Sequence, residues 1–324
     1  MARAVKWGIL STANINRKVI PAAQASPKID LFAVASRDQA RADEYAKTWG
    51  IGRAYGSYEA LLRDPEIEAV YISLPNALHC EWSIKAIDAG KHVLCEKPLS
   101  RRTSEVEAAF DAAERAGRIL SEAFMYRHNP QTKRAKQLVD EGAIGELRLI
   151  RSSFSYPLYD EANIRLSTAL DGGALMDIGC YAVSGSRLFA GEPDSVFGEA
   201  WFGPSGTDWL FTGVLRFAGN VIGVFDCGTA MPDRDDLEVI GSEGSLFLDD
   251  PWHCVAPTIE VRRAAGVERI ELPPVSSYQL ELENVSDAIR GEGKLLLGRE
   301  DAIGQARVLG ALHRSAATRA AIAL

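Results

Sequence analysis

The chain has 324 residues, and its 36 basic and 44 acidic side chains give a formal net charge of −8. This negative balance argues against a nucleic-acid or anionic-membrane partner, because such partners are attracted by basic surfaces. With 47% hydrophobic and 25% charged residues, the composition is that of a globular protein rather than a disordered one. The length predicts two domains, each large enough to bury a core.

The sequence predicts neither export nor a disulfide framework. No run approaches the ~20 apolar residues that span a bilayer, and the N-terminus leads directly into a strand-like run rather than a secretory signal. Scattered cysteines without a Cys-x-x-Cys pair are typical of a reducing compartment, so we expect a cytoplasmic protein. These cysteines are Cys80, Cys95, Cys180, Cys227 and Cys254.

The first third of the chain alternates apolar, strand-like runs with amphipathic, helix-like runs. The predicted strands cover residues 4–10, 29–35, 67–74, 91–95 and 119–123. The predicted helices begin at 11–15 and cover 38–49, 77–89 and 104–116, the last opened by a capping box of Ser104 and Glu107. The alternation predicts an α/β Rossmann domain, a doubly wound parallel sheet that binds ligands where its strands end.

The remainder of the chain has a different pattern of predicted elements. Strands are predicted at 146–156, 195–202, 209–217, 221–227, 236–240, 245–248, 259–262 and 268–272, and helices at 173–189, 278–290 and 301–321. Consecutive strands with few crossovers predict an α+β domain with a large, mainly antiparallel open sheet. We place the boundary after Glu122, giving domains 1–122 and 123–324, with the C-terminal helix able to pack back on the first.

A dinucleotide motif is predicted where the first strand turns into the first helix. The segment from Gly8 to Ala13 offers small residues that let backbone N–H groups approach a pyrophosphate. The match is degenerate because Ser11 and Ala13 stand where glycines are usual, so the segment alone also fits an ordinary turn. At the end of the second strand, Ser36 and Arg37 replace the acidic residue of an NAD site. A hydroxyl and a guanidinium suit a 2′-phosphate, which favours NADP over NAD.

Two further motifs carry reactive groups. Lys97, between Glu96 and Pro98, follows the fourth strand; proline restricts the backbone before it, so the ammonium is aimed in one direction. In the segment 171–181, two glycines precede a helix and admit a ligand, while Asp177 and Tyr181 share a helical face. Taken alone, Lys97 fits an exposed ion pair, Tyr181 a core aromatic and Asp177 a cap. Gly179, which lies between Asp177 and Tyr181, is a poor helix former and indicates a place where another group packs tightly.

Together these motifs resemble the Gfo/Idh/MocA family over essentially the full length. The resemblance rests on WGILSTANI, SLPNALH, AGKHVLCEKP, EAFMYRHNP and GGALMDIGCY. It implies a Rossmann domain joined to an α+β domain whose open sheet forms an oligomer interface. Tyr181 stands where many members carry histidine, as in the branch that includes D-xylose dehydrogenase, dihydrodiol dehydrogenase and anhydrofructose reductase. The sequence departs from the family at Asp171 and Ser11, which leaves the local loop geometry open.

The resemblance implies a role for each matched residue. Lys97 is the catalytic lysine, Asp177 orients the substrate, and Tyr181 completes the catalytic set. The cofactor is NADP, with NAD less favoured, and we predict that it is bound by Gly8, Ser11, Thr12, Ala13, Ile15, Ser36, Arg37, Leu74, Pro75, Asn76, His79, Glu96, Lys97 and Arg165.

Proton transfer has two possible carriers at this stage. A free phenol with a pKa of about 10 is a poor base, but a nearby Lys97 ammonium would favour the phenolate of Tyr181. Alternatively, Lys97 hands over the proton while Tyr181 positions it. His79 is a candidate for substrate or cofactor contact, although a lone histidine is more often structural.

No catalytic metal is predicted, and a redox role for Cys180 is the weaker interpretation. His79, Cys80, His92 and Cys95 lack the short ligand spacing of a zinc site. A small buried residue explains Cys180 more simply, because free cysteines are commonly buried.

The leading prediction is an NADP-dependent oxidoreductase acting on a sugar, by aldose oxidation at C1 or keto-sugar reduction. A nucleotide-linked sugar would need cations for its diphosphate, and Arg151, Arg165 and Arg234 are candidates. The alternatives are a trans-dihydrodiol or dicarbonyl oxidoreductase and a non-catalytic NADP-binding regulator. We expect a homodimer or homotetramer assembled through the sheet of the second domain.

Overall fold

A computed structural model describes residues 3–160 and 162–324. The chain divides into two compact units: one runs up to residue 125 and includes 276–303, and the other comprises 126–275 and 304–324. The sequence-based division into 1–122 and 123–324 differs from these units mainly in the placement of 276–303.

Both units are built from strands and helices. The strands, in chain order, are β1 Val5–Leu10, β2 Ile29–Ala35, β3 Arg53–Tyr55, β4 Ala69–Ile72, β5 His92–Glu96, β6 Leu120–Ala123, β7 Leu147–Ser155, β8 Ser195–Phe202, β9 Asp208–Arg216, β10 Ile222–Gly228, β11 Arg234–Gly241, β12 Gly244–Asp249, β13 Thr258–Arg263, β14 Gly266–Glu271 and β15 Ile322–Ala323. The helices are α1 Asn16–Ala25, α2 Gln39–Trp49, α3 Tyr58–Leu62, α4 His79–Asp88, α5 Thr103–Ala116, α6 Pro130–Asp140, α7 Cys180–Ala190, α8 Ser277–Arg290 and α9 Arg299–Thr318.

The first unit contains the predicted parallel sheet. Its strand order is β3-β2-β1-β4-β5-β6, and each neighbouring pair is parallel. Leu10 is aligned with Ala35 and Ile72, and Ile72 with Cys95. The segments that follow these strands therefore share one edge of the sheet, which confirms the Rossmann arrangement.

Apolar side chains on both faces of β1 explain why this sheet is buried. Trp7 and Ile9, on one face, are each 1% exposed and belong to one core with Tyr71, and Leu10, on the other face, is fully buried. Leu282 and Val285 of α8 belong to the same core. Apolar burial on both faces is typical of a parallel sheet covered by helices, and it explains why α8 belongs to this unit.

Two local predictions in the first unit need correction. The strand β3 and the helix α3 were not predicted, because runs of three and five residues carry too little periodicity. The proposed capping box is wrong: α5 begins at Thr103, so Ser104 lies inside the first turn rather than at its cap. Ser100 holds this entry instead, since it accepts from Arg102 N at 3.0 Å and donates to Glu105 at 2.8 Å.

The second unit contains the mainly antiparallel sheet, as predicted. Its order is β14-β13-β12-β11-β7-β10-β9-β8-β15, and the β7–β10 pair is parallel. The helix predicted over 173–189 is interrupted, because Leu175–Gly179 forms a π-helical turn before α7. The helix α6 was not predicted, although Asn129 caps it and Pro130 follows the cap. In the described part of the chain, no helix has the length and apolarity needed to cross a membrane.

Candidate active site

The turn after β1 is braced by buried polar groups. Ser11 has φ 123°, a conformation usually reserved for glycine. Its Oγ donates to the carbonyl oxygen of Ser73 at 2.8 Å and accepts from Ala13 N at 3.1 Å. Asn16, which is fully buried, donates to the Ser11 carbonyl at 2.9 Å and accepts from Ser73 Oγ at 2.8 Å. These bonds fix the predicted pyrophosphate turn without a glycine at position 11; Asn16 and Ser73 were not identified from the sequence.

The other predicted residues of this turn differ in their surroundings. Thr12, Ala13 and Ile15 are partly exposed at the edge of the sheet. Gly8 lies inside β1, where an added Cβ would come within 2.9 Å of the Leu61 side chain. Gly8 therefore makes room for the packing of α3 against β1. The other three residues lie at the sheet edge, and their contact with a cofactor stays a prediction.

The edge after β2 gathers positive charge. Ser36 is 5% exposed and donates from its backbone N to the Tyr55 carbonyl at 2.9 Å, while Arg37 is exposed. Burial raises the pKa of Tyr58, and the charges of Arg37 and Arg41 partly oppose this shift. Two guanidinium groups thus act on one phenol beside the start of α2. Arg41 was missed, although it lies in the first turn of the helix predicted over 38–49.

His79 joins the segments that follow β4 and β5. Its ring is 1% exposed, with Nδ1 2.8 Å from the Pro98 carbonyl oxygen and Nε2 2.8 Å from that of Leu74. Burial lowers the pKa of His79. Both ring nitrogens face the protein's own backbone, so the geometry favours support of these segments, which include Pro75 and Asn76, over direct ligand contact.

Glu96 is anchored beneath the Lys97 segment. Its carboxylate accepts a hydrogen bond from the Tyr71 hydroxyl and another from Lys97 N, the latter at 3.3 Å. Burial and the charge of Glu96 raise the pKa of Tyr71 well above its usual range, so this phenol remains a donor. Burial likewise raises the pKa of Glu281 on α8. Tyr71 and Glu281 were missed because neither lies in a motif.

The two glycines before the π-helical turn make room for the chain itself. An added Cβ would lie 2.3 Å from the Arg165 carbonyl oxygen at Gly172 and 2.0 Å from Asp208 Oδ1 at Gly173. Asp208 Oδ2 accepts from Leu175 N at 2.6 Å. A backbone carbonyl and a buried carboxylate therefore explain why both positions lack a side chain, and the approach of a ligand to this helix stays a prediction. Asp208, 33 positions from Leu175, was missed.

Asp177 is held from two directions. Its Oδ2 accepts from the Tyr156 hydroxyl at 2.5 Å and lies 3.2 Å from Arg165 Nε. Burial, reinforced by the charge of Asp177, raises the pKa of Tyr156. An added Cβ on Gly179 would lie 2.7 Å from Cys227 Sγ, which confirms the predicted tight packing. The π-helical turn thus carries Asp177 toward Tyr156, a partner that was not identified from the sequence.

Aromatic rings surround Tyr181. Its ring centroid lies 5.8 Å from Tyr126, 5.5 Å from Phe154 and 6.0 Å from Trp252. Tyr126 is itself fixed, since its hydroxyl donates to Ser184 Oγ at 2.8 Å. Tilted and edge-to-face contacts of this kind restrict how the phenol can rotate. None of these three rings was identified from the sequence, because they come from separate elements.

Two of the three arginines suggested for a diphosphate, Arg151 and Arg234, lie well apart on neighbouring strands. Arg234 makes two bonds to Asp226, at 2.6 and 2.9 Å, and Arg151 lies 3.8 Å from Glu238. Arg234 is aligned with Ser155, four positions along β7 from Arg151, which is a separation of about 13 Å. Both side chains thus pair with carboxylates of the second sheet, and their role as diphosphate ligands stays a prediction.

The cysteines and one group of possible metal ligands bear on the predictions about redox and metal chemistry. All five cysteines are free and buried, and Cys180 Sγ donates to the Asp177 carbonyl at 3.5 Å. Among the residues the structure describes, ligand atoms of Asp235, Asp250 and His253 lie within 4.8 Å of one another, with His253 Nδ1 2.5 Å from Asp235. The absence of a catalytic metal remains a prediction.

The fold and these groups define an oxidoreductase of known family. Residues 5–124 match the family model for oxidoreductases with an NAD-binding Rossmann fold, and residues 132–247 match the GFO/IDH/MocA C-terminal domain. The chain therefore belongs to the Gfo/Idh/MocA family of NAD(P)-binding oxidoreductases, as the resemblance implied.

Three relatives show the range of activities among similar proteins. A D-xylose 1-dehydrogenase (NADP(+)) from Haloferax volcanii is 41% identical over 98% of this chain and 99% of its own. A trans-1,2-dihydrobenzene-1,2-diol dehydrogenase from Xenopus laevis is 36% identical over 76% of this chain and 75% of its own. The crystal structure of a 3-ketoreductase from Actinomadura kijaniata with NADP and TDP-benzene has a TM-score of 0.91 at 30% identity, covering 96% of this chain and 98% of that one.

Proposed function

We propose that the protein is an NADP-dependent oxidoreductase that transfers hydride between the nicotinamide and a sugar. The observation that carries this proposal is the pairing of Asp177, held by Tyr156 and Arg165, with Tyr181 one turn further along the same helical segment. A fixed carboxylate next to a phenol suits a hydroxyl-bearing substrate. The relatives named as a xylose dehydrogenase and a sugar ketoreductase support the same substrate class.

The proposal specifies NADP because of the charges after β2. Arg37 and Arg41 both act on Tyr58, and no acidic side chain occupies position 36 or 37. An acidic residue there would accept the ribose 2′-hydroxyl of NAD, whereas guanidinium groups suit a 2′-phosphate. The braced turn at Ser11 fits a dinucleotide, since it fixes the backbone at the start of α1. The names of the relatives also specify NADP.

Each of the chain's reactive groups has a separate role in the proposed hydride and proton transfer. When bound, the nicotinamide supplies or accepts the hydride. Asp177 accepts a hydrogen bond from a substrate hydroxyl and orients it, and Tyr181 exchanges the proton with the reacting oxygen. Lys97 stabilises the negative charge that develops during this exchange, or carries the proton itself. In this assignment residues 1–122 bind the cofactor and 123–324 bind the substrate.

A trans-dihydrodiol is the second candidate substrate. The rings of Tyr126, Phe154 and Trp252 around Tyr181 provide an apolar, aromatic environment that suits a cyclic hydrocarbon. The Xenopus relative carries this activity in its name.

We further propose a cytoplasmic homodimer or homotetramer that assembles through the second sheet. Strands β8 and β9 carry large apolar side chains that are exposed, including Trp201 at 56%, Phe197 at 38% and Val214 at 38%. An exposed apolar patch of this kind marks an interface. Buried free thiols suit a reducing compartment. Trp201→Glu should lower the mass measured by light scattering, and an unchanged mass would refute the use of this face.

The decisive test is an absorbance assay of NADPH formation and consumption with aldoses, keto-sugars and trans-dihydrodiols in both directions. We expect turnover of a sugar with NADP(H) and at least tenfold weaker turnover of dihydrodiols. The reverse preference would support the second candidate. A protein that binds NADPH tightly but turns over none of these compounds would be a cofactor-binding regulator.

A further inference from the structure

Tyr156 stands where the sheet of the second unit meets the Asp177 turn. It directly follows β7, and its backbone N donates to the Gly228 carbonyl at 3.1 Å, so it continues the pairing of β7 with β10. Its hydroxyl reaches Asp177 from this position. The phenol is therefore fixed by a sheet, not by a loop.

The two donors to Asp177 differ in how firmly they are held. The Arg165 side chain is 42% exposed and belongs to a short 3₁₀ turn in the segment between β7 and the π-helical turn. Tyr156 makes the shorter contact, 2.5 Å against 3.2 Å, and its backbone is tied to β10. Tyr156 therefore holds the plane of the Asp177 carboxylate more firmly than Arg165 does. Its backbone is already fixed by the sheet, so its side chain loses less conformational entropy in making the contact than the exposed arginine side chain loses.

We propose that Tyr156 is a positioning residue for substrate recognition: its hydroxyl fixes the plane of the Asp177 carboxylate and thereby sets how tightly a hydroxyl-bearing substrate is bound. The inference rests on the proposed function, in which Asp177 orients the substrate. Fixing one carboxylate oxygen fixes the direction of the other, so a substrate hydroxyl meets an acceptor that is already aligned. Burial raises the pKa of Tyr156, which keeps its hydroxyl a donor over the whole working range.

The variant Tyr156→Phe keeps the ring and removes only the donor. We expect the KM for the preferred sugar to rise about tenfold, the kcat to change less than about threefold, and the Kd for NADPH to stay unchanged. Tyr159→Phe is the matched control, because Tyr159 is 71% exposed and lies three positions further on; its constants should equal those of the wild type. An unchanged KM in Tyr156→Phe, or a loss of NADPH binding, would overturn the inference.

A double-mutant cycle tests whether Tyr156 acts through Asp177. If it does, adding Tyr156→Phe to Asp177→Asn costs nothing further in kcat/KM, whereas independent losses would multiply and refute the mechanism. A crystal structure of the wild-type enzyme with NADPH and sugar gives a test that needs no variant. It should show the Tyr156 hydroxyl on Asp177 and Asp177 on a sugar hydroxyl; a phenol turned away would refute the proposal. Wild-type protein that turns over no sugar would instead refute the proposed function.

Discussion

The two units support their reactive groups in different ways. In the first, the predicted segments follow neighbouring parallel strands, and partners such as Ser11 with Ser73, or His79 with Leu74 and Pro98, lie on the same sheet edge. In the second, Asp177 and Tyr181 share one helical segment, but their partners come from β7, from the residue that follows it and from the segment after β12. Asp208 of β9 holds Leu175 in the same segment. A parallel sheet gathers its site by topology alone, whereas an antiparallel sheet needs individual long-range contacts.

The largest test of this comparison removes the reactive group at the edge of the parallel sheet. Lys97→Met should lower kcat by about a thousandfold, because in the proposed mechanism it removes the ammonium that stabilises charge or carries the proton. NADPH binding, measured by fluorescence titration, should persist because the turn after β1 is untouched. Lys85→Met, at an exposed position on α4, is the control. Near-normal turnover in Lys97→Met would remove Lys97 from the mechanism.

A second test breaks one long-range contact in the other unit. Asp208 is 5% exposed and accepts from Leu175 N at 2.6 Å, so Asp208→Asn weakens a charged hydrogen bond at the start of the π-helical turn. We expect the free energy of unfolding to fall by about 2 kcal/mol and kcat/KM to fall with it. Urea unfolding measures the first quantity. Asp233→Asn, at an exposed position, should change neither quantity. An equal loss in that variant would show that the effect of Asp208→Asn does not come from its contact with Leu175.

The third test concerns the cofactor edge. Arg37→Ala should weaken NADPH binding about tenfold, because a charged contact to a 2′-phosphate is lost. Binding of NADH to the same variant is the internal control and should change less than about twofold. Isothermal titration with both cofactors measures the ratio. Equal weakening of both cofactors would show that Arg37 does not recognise the 2′-phosphate.

The smallest expected effect concerns the ion pair between Arg290 of α8 and Glu68 in the first unit. Arg290 lies 2.8 Å from Glu68, and this hydrogen bond, the largest cause, lowers the pKa of Glu68 to about 2. A depressed carboxyl pKa stabilises the fold above the unfolded value of 4.5 and loses that contribution as pH falls through about 2. In Glu68→Gln, the free energy of unfolding should therefore rise less between about pH 2 and 5 than it does in the wild type, by roughly 1 kcal/mol. Identical pH profiles of unfolding would contradict this.

The sequence was most informative where burial is periodic. The bounds of β2 and β8 match the predicted strands 29–35 and 195–202, because an apolar run and a clear alternation mark them. The end of α2 at Trp49 also matches the predicted helix 38–49, and Gly50 adopts the left-handed conformation after it with φ 66°.

The contacts that were missed share a physical cause. Tyr156 meets Asp177 and Asp208 meets Leu175 across 21 and 33 positions, through strand register that no local pattern encodes. The π-helical turn was missed because the composition of Leu175–Gly179 does not distinguish it from an ordinary helical turn. Gly172 and Gly173 were recognised as special, but their spacing cannot say whether a ligand or the chain itself fills the space.

The parallel pairing of β7 with β10 has a consequence for folding. Strands β10 and β11 are consecutive and separated by residues 229–233, yet β7 lies between them and pairs with both. This hairpin cannot close on itself, so β7 has to enter between strands made 67 or more residues later in the chain. Such non-local pairing slows folding, because the intervening loop loses entropy before any contact forms. During synthesis, Asp177 therefore leaves the ribosome before the strands that fix Tyr156 against it, so the contact between these two side chains forms late.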